Sequence, residues 1–427
     1  MTRFNRIVFG TLLVTLTLGT ALAQNTFDGR AAGMAFSNSA DTRGLEQVGL
    51  NPATLALKHR VGFELNLLAA NLSVATNGLN KGLYDRYFTT GDTLRDAEKQ
   101  DILGSIPGSG LRGELDARLN TFAFYLPNFS VAVTGVSRGT LNLPREVAEL
   151  ALYGNADLGR VYDFQNTDGN AWGGLVTRVG FAVPRRFSGE GLFDMMAVGV
   201  TGKYIAGMAY FEVEEAHGTF TNVDSDHLFM EVDGQIEARS ATGGTGFGFD
   251  LGVVAEKSDR FTVSLAVLNA FSSMTWDGEP EAMTYSVTGD RITVGSGDSM
   301  DSLLVETDTT IAIGAFQTRL PVTVDLGLAY RPWRPFVLTA SFEKGFQEDM
   351  GGTTASRFSL GMEGRWLPFL PLRAGMSVGG RYGTSVALGT GLNLRILYVD
   401  AGVISHGGFR SSDSRGLTLA ATARLSF

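Results

Sequence analysis

Residues able to make and break bonds are few and scattered in this sequence. Cysteine is absent, so there is neither a thiolate nucleophile nor a disulfide frame. The four histidines, His59, His217, His227 and His406, are widely separated. Only His227 stands among acids, in Asp224-Ser225-Asp226-His227. One imidazole beside loop carboxylates falls short of the three protein ligands of a catalytic metal site, so the cluster reads as solvated. Gly297-Asp298-Ser299 offers a hydroxyl of the kind hydrolases use, but no matching downstream His accompanies it. Gly243-Gly244-Thr245-Gly246 leads into a strand, so no helix N-terminus stands behind it to cradle a phosphate. These residues predict no enzyme, no cofactor and no metal.

The remaining polar chemistry lies in charges placed along short alternating stretches. The chain has 427 residues, a net charge of −9 and no basic block, which argues against nucleic acid as a partner. Only 19% of residues are charged, and Gly numbers 55 against 11 Pro. Mean hydropathy is barely positive. Residues 1–23 read as a secretory signal: Arg3 and Arg6, an apolar centre from Ile7 to Leu18, then Ala21-Leu22-Ala23. No later run approaches the ~20 apolar residues of a spanning helix. An exported chain of half-apolar strands therefore suits a transmembrane β-barrel.

Period-2 alternation predicts fourteen strands, the first at Val61–Val74 and the last at Gly416–Phe427. The last puts Leu417, Leu419, Ala421, Ala423, Leu425 and Phe427 on one face and Thr418, Thr422 and Arg424 on the other. Pro and Gly punctuation makes the connections alternate between short and long, as in barrels with short periplasmic turns and longer outer loops. The inward faces carry charges of both signs: Glu64, Asp116, Arg118, Asp250, Asp325, Glu363, Arg365, Arg373 and Arg424, with Arg178, Lys203, Glu343 and Asp400. Between them stand inward Gly residues such as Gly252, Gly361, Gly375 and Gly389, which make room. No ring of one sign is visible, which argues against an ion-selective pore. Trp172, Trp276, Trp333 and Trp366 fall at predicted strand ends, where interfacial rings belong. The outer excursions hold short helices, one opened by a capping-box pattern at Thr93–Asp96 and one over Pro144–Tyr153. They are rich in apolar residues, and Leu83, Tyr84, Tyr87, Phe88, Leu150 and Tyr153 could line a groove for a hydrophobic ligand. Glu212–Gly243 is expected to stand above the membrane as a polar hairpin, and Asp277–Leu320 to be the longest excursion.

Residues 24–60 do not alternate. They run through Gly33-Met34-Ala35-Phe36 and then Asn51-Pro52-Ala53 just before the first strand. A small-residue start, an Asn-Pro-Ala turn and a following barrel resemble the FadL-like outer-membrane transport family and its PorV relatives. The turn is equally an Asn cap before Pro at a first helical position. The resemblance implies an all-β, 14-stranded antiparallel transmembrane barrel (61–427) with an N-terminal hatch (24–60) inside the lumen, carrying Gly33, Phe36, Asn51, Pro52 and Ala53. It implies passage of hydrophobic small molecules such as fatty acids through the outer membrane. The PorV relatives imply instead an anchor or shuttle for secreted surface proteins, and a purely structural outer-membrane protein is a third reading. The expected partners are outer-membrane lipid, a hydrophobic ligand, and the assembly machinery, which would read the terminal aromatic Phe427. A monomer is expected.

Overall fold

The computed structural model describes residues 28–89, 91, 93–154, 160–165, 167–188, 191–224, 229–293 and 305–427. The signal segment, the Ser225-Asp226-His227 part of the acid–imidazole cluster and Gly297-Asp298-Ser299 lie outside the described residues. Among the described residues there are nineteen strands: β1 (Glu64–Thr76), β2 (Leu111–Leu126), β3 (Phe129–Leu143), β4 (Val161–Asp163), β5 (Asp168–Arg186), β6 (Met195–Asp224), β7 (Phe229–Ala241), β8 (Gly243–Lys257), β9 (Phe261–Gly278), β10 (Glu281–Thr293), β11 (Val305–Ala312), β12 (Phe316–Thr318), β13 (Thr323–Tyr330), β14 (Phe336–Gly345), β15 (Ser356–Leu367), β16 (Leu370–Gly379), β17 (Ser385–Leu394), β18 (Leu397–His406) and β19 (Gly416–Ser426).

Fourteen of these close a single antiparallel barrel in the order β1-β2-β3-β5-β6-β8-β9-β13-β14-β15-β16-β17-β18-β19. The seam joins β19 back to β1, from Glu64↔Ser426 to Ala75↔Gly416. Closure leaves none of the fourteen with an open edge. The alternation is inverted relative to a water-soluble domain. Large apolar side chains such as Leu72, Phe181, Phe249, Leu328, Leu360 and Leu419 are exposed, while Asn71, Asp116, Asp250, Asp325, Glu363 and Thr418 are buried. An apolar outside and polar inside is the pattern of a barrel that sits in lipid.

Two strands change face partway along. A bulge between Asn66 and Leu68 leaves both Leu67 and Leu68 outside, so Glu64 and then Ala69, Asn71 and Ser73 all point inward. A second between Asn120 and Phe122 turns Ala123 and Tyr125 inward, although strict alternation would set Ala123 on the outward face of Leu119. One extra residue shifts a period-2 pattern by half its period. The tryptophans need a larger correction. Trp333 and Trp366 are exposed on the outer surface near short turns. Trp172 and Trp276 are buried and belong to an internal apolar cluster rather than to the outer rim.

Asp28, the first described residue, the C-terminal Phe427 and the short turns share one end. At the other end β6 continues far beyond its barrel partners. Its upper half pairs with β7, β7 with β10, and β10 with β11, while β4 covers the opposite edge. The result is a single-layer sheet, β4-β6-β7-β10-β11, standing off the barrel. Sequence patterning left 277–320 without strands, yet β10, β11 and β12 fall there. The short helices are Lys81–Tyr87, Asp96–Ser105 and Arg145–Tyr153. The second starts later than the Thr93 pattern suggests, because Glu98 accepts from the Arg95 N–H at 2.8 Å and sets the cap there.

Candidate functional site

Residues 28–57 lie inside the barrel at the termini end and are nearly all buried. A short helix, Gly29–Gly33, is capped by Asp28, which accepts from the Ala31 N–H at 3.1 Å. It presses its backbone on β17 and β18: a Cβ at Gly402 would lie 2.3 Å from Gly33 N. The inward glycine there permits a contact that a side chain would block. Phe36, at φ 57, is buried beside Ala387, Ile404 and Ala420. The Asn51-Pro52-Ala53 turn opens a 3₁₀ helix, Pro52–Ala56. Asn51 Oδ1 accepts from the Ala53 N–H at 2.9 Å, while Nδ2 donates to the Val253 and Leu265 carbonyls at 3.0 and 3.1 Å. One side chain therefore caps the turn and ties it to β8 and β9. A Cβ at Gly252 would lie 2.0 Å from Asn51 Oδ1.

Ion pairs bind this segment to the wall. Arg30 meets Asp41 at 2.5 Å, Glu46 at 2.9 Å and Glu363 of β15 at 2.9 Å. Glu363 is fully buried and also holds Arg373 at 2.6 Å and Arg365 at 2.7 Å. Arg373 continues to Asp400 at 2.7 Å. Arg424 of β19 reaches Glu46 at 2.5 Å, with Asp28 at 3.6 Å and Glu64 at 3.8 Å. Glu64 in turn accepts the Leu45 N–H at 2.7 Å, and Arg331 pairs with Asp41. Charge-assisted bonds of this kind are the strongest polar ties available in a buried site. Arg365 departs from the expectation of an interior charge: its side chain is 44% exposed at the rim, touching the network only through Glu363. Farther up the lumen Asp116 takes both Arg118 and Arg138, Lys203 pairs with Asp250 at 2.6 Å, and Asp325 is buried on β13.

Near the opposite mouth the lumen turns apolar. Val136, Trp172, Val176, Ile205, Tyr210, Met274, Trp276, Leu320 and Met350 pack together, with Phe316 against them. Trp276 and Tyr210 have ring centroids 5.0 Å apart, and Tyr210 lies 5.3 Å from Phe316. Two loops supply part of the cluster by folding inward. Leu320 is held by Ser272, whose Oγ accepts from its N–H at 2.9 Å, and Met350 offers its carbonyl to Trp172 Nε1 at 3.1 Å. Sequence patterning missed this cluster. Its signal was present in Gly207 and Gly244, which leave the space the Trp276 ring occupies.

The apolar loop residues stand outside it. Leu83 is buried beneath its helix, and Tyr84 and Phe88 are exposed and stacked at 6.0 Å. Tyr87 and Tyr153 both reach the helix Asp96–Ser105, through Asp101 Oδ2 at 2.7 Å and the Asp96 carbonyl at 3.3 Å. Leu150 is half-buried on its own helix. On the outer wall, a recess of about 600 Å³ lies over β17, β18, β19 and β1, lined by Ala70, Leu388, Ala401, Val403, Leu419 and Ala421. It backs onto the wall where the helix Gly29–Gly33 presses from inside.

A family model described as "Family of unknown function (DUF5723)" matches residues 52–402. No curated protein matches the chain. Among solved structures, the P. putida toluene transporter TodX is similar at 10% identity and TM-score 0.53, covering 94% of this chain and 99% of that one. The Ralstonia pickettii toluene transporter TbuX is similar at 14% identity and TM-score 0.52, with coverage of 94% and 99%. A Pseudomonas aeruginosa FadL homologue is similar at 12% identity and TM-score 0.51, with coverage of 96% and 99%. At such identities the likeness is one of fold: a FadL-type barrel of fourteen strands.

Proposed function

The chain belongs to the family of unknown function DUF5723, and we propose that this member is an outer-membrane channel for small hydrophobic compounds, closed at rest by residues 28–57. The termini and short turns face the periplasm, and the standing sheet and helices face outward. The observation that carries this reading is the pairing of an aromatic cluster inside the outer mouth with a segment ion-paired into the opposite end. Trp172, Tyr210 and Trp276 are themselves packed and buried, so a solute meets the cluster first at the half-buried Phe316, where an apolar one can exchange water contact for ring contact. Tyr84 and Phe88 offer an exposed apolar step at the rim before it. Two solved structures of like fold are named as toluene transporters and a third as a FadL homologue, which supports small hydrophobic compounds as the substrate class; fatty acids are what the family resemblance implies. Contacts of Gly33, Phe36, Asn51, Pro52 and Ala53 with the wall support a hatch role for them.

Native mass spectrometry of gently delipidated protein, with uptake of toluene and of a long-chain fatty acid into proteoliposomes, tests the proposal. A bound hydrophobe and uptake above empty liposomes are expected, both reduced by Phe316→Asn in a barrel of unchanged heat stability. Absence of both removes the channel reading. Co-purification of an exported protein in their place favours the anchor.

A further inference from the structure

The standing sheet concentrates the protein's acidity. Its described residues, 212–224, 229–241, 277–293 and 305–312, contain thirteen Asp and Glu against two Arg, a net −11, where the whole chain carries −9. The field is felt locally: burial, then the carboxylates of Glu306 and Asp308, hold the Tyr285 hydroxyl above its ordinary range. Arg239 is already taken by Glu212 at 2.5 Å and Glu214 at 3.1 Å.

At the margin of this sheet lies β11, Val305-Glu306-Thr307-Asp308-Thr309-Thr310-Ile311-Ala312. It pairs with β10 on one side, and among the described residues its other edge has no ladder partner. All eight residues are exposed, including Val305 at 65% and Ile311 at 56%. Among the described residues neither face is covered, and one row of backbone N–H and C=O groups has no ladder partner. Such an edge is a ready template for another strand. The opposite margin ends in β4, whose three residues offer a much shorter edge.

We propose that β11 is a docking edge for an extended, basic segment of a partner protein, which adds as a further strand with its Lys or Arg side chains beside Glu306 and Asp308. Charge decides the occupant. A second copy of this chain would bring an equal −11 against the first, and Glu306 and Asp308 against their own kind, so self-pairing is opposed. A basic strand meets the same field as attraction, which also speeds encounter. Main-chain bonds supply the affinity and the alternate acids supply the selection. This goes beyond channel function and takes from it only the outward orientation of the sheet.

The test uses the full-length protein in lipid nanodiscs and a synthetic peptide of about ten residues alternating Lys and Val, with a Glu/Val peptide as counterpart. Hydrogen exchange at residues 305–312 should slow with the basic peptide and not with the acidic one. Glu306→Lys with Asp308→Lys should weaken the basic peptide about tenfold, the sum of reversing two exposed charge contacts, and admit the acidic one. Both side chains are exposed, so the barrel's heat-resistant mobility should be unchanged. Binding without slowed exchange on β11 would reduce the effect to diffuse attraction and overturn strand addition. Equal protection by both peptides, or no binding, would overturn the proposal as well.

Discussion

Replacing Arg30 by Met severs the centre of the ties between residues 28–57 and the barrel. Removing one member of a buried ion cluster costs about 3–5 kcal/mol, because the partners left behind remain desolvated. Here each carboxylate keeps a second cation: Asp41 keeps Arg331, Glu46 keeps Arg424, and Glu363 keeps Arg365 and Arg373. The low end, about 3 kcal/mol, is therefore expected, and it corresponds to about a hundredfold rise in the population with this segment released. The wall itself is held by closed hydrogen-bond ladders that Arg30 does not join, so barrel unfolding should hardly move. Hydrogen exchange in a mild detergent separates the two, since amides of residues 29–57 report release and those of β14 to β16 report the wall. A double-mutant cycle with Glu363→Gln should fall short of additivity by about 1–2 kcal/mol, as contacting residues do. Unchanged exchange at 29–57 would refute the reasoning. So would a loss of wall protection with these residues still shielded, which would mean that the cluster braces the cylinder and not its occupant.

Deleting residues 27–55 should raise single-channel conductance in planar bilayers, and unchanged conductance would remove the plug role. Gly402→Val should speed exchange in the helix Gly29–Gly33 while leaving β18 protected, because a Cβ there meets Gly33 N at 2.3 Å. Trp276→Ala should destabilise the outer mouth by about 3 kcal/mol, the low end for deleting a buried aromatic, read as a lower melting temperature with lower hydrocarbon uptake. Phe427→Ala leaves the backbone bond from the Phe427 N–H to the Phe63 carbonyl at 2.9 Å intact. It should therefore slow membrane assembly in cells more than it lowers the melting temperature of the assembled protein.

Strand positions were legible because lipid outside and water inside force an alternation that few other folds impose over so many segments. The last strand, expected at Gly416–Phe427, runs Gly416–Ser426, and the first, expected at Val61–Val74, runs Glu64–Thr76. Inward Gly252, Gly361, Gly375 and Gly389 were legible as space, and the N-terminal segment fills it. Phase slips were not, since a bulge at Asn66 or Asn120 leaves no compositional mark. Trp172 misled because an indole at a strand end suits a lipid boundary and an aromatic interior equally. β10 and β11 escaped because both their faces meet solvent, which erases the alternation that betrays a half-buried strand. The membership of the ion cluster was visible residue by residue. Its connectivity was not, because Arg30 and Glu363 stand 333 positions apart and only barrel closure brings them together.

The recess over Ala70, Ala401 and Ala421 has a mechanical meaning. Small side chains outside and glycines inside reduce that patch of wall to little more than its own peptide plane, with the helix Gly29–Gly33 as its backing. A neighbouring acyl chain resting there is one sheet thickness from the segment within. Withdrawing the backing softens the patch, so the annular lipid and the occupant of the bore press on the same few strands from opposite sides. A nitroxide at Ala401 would sense that shared load as a change in mobility when Arg30 is replaced.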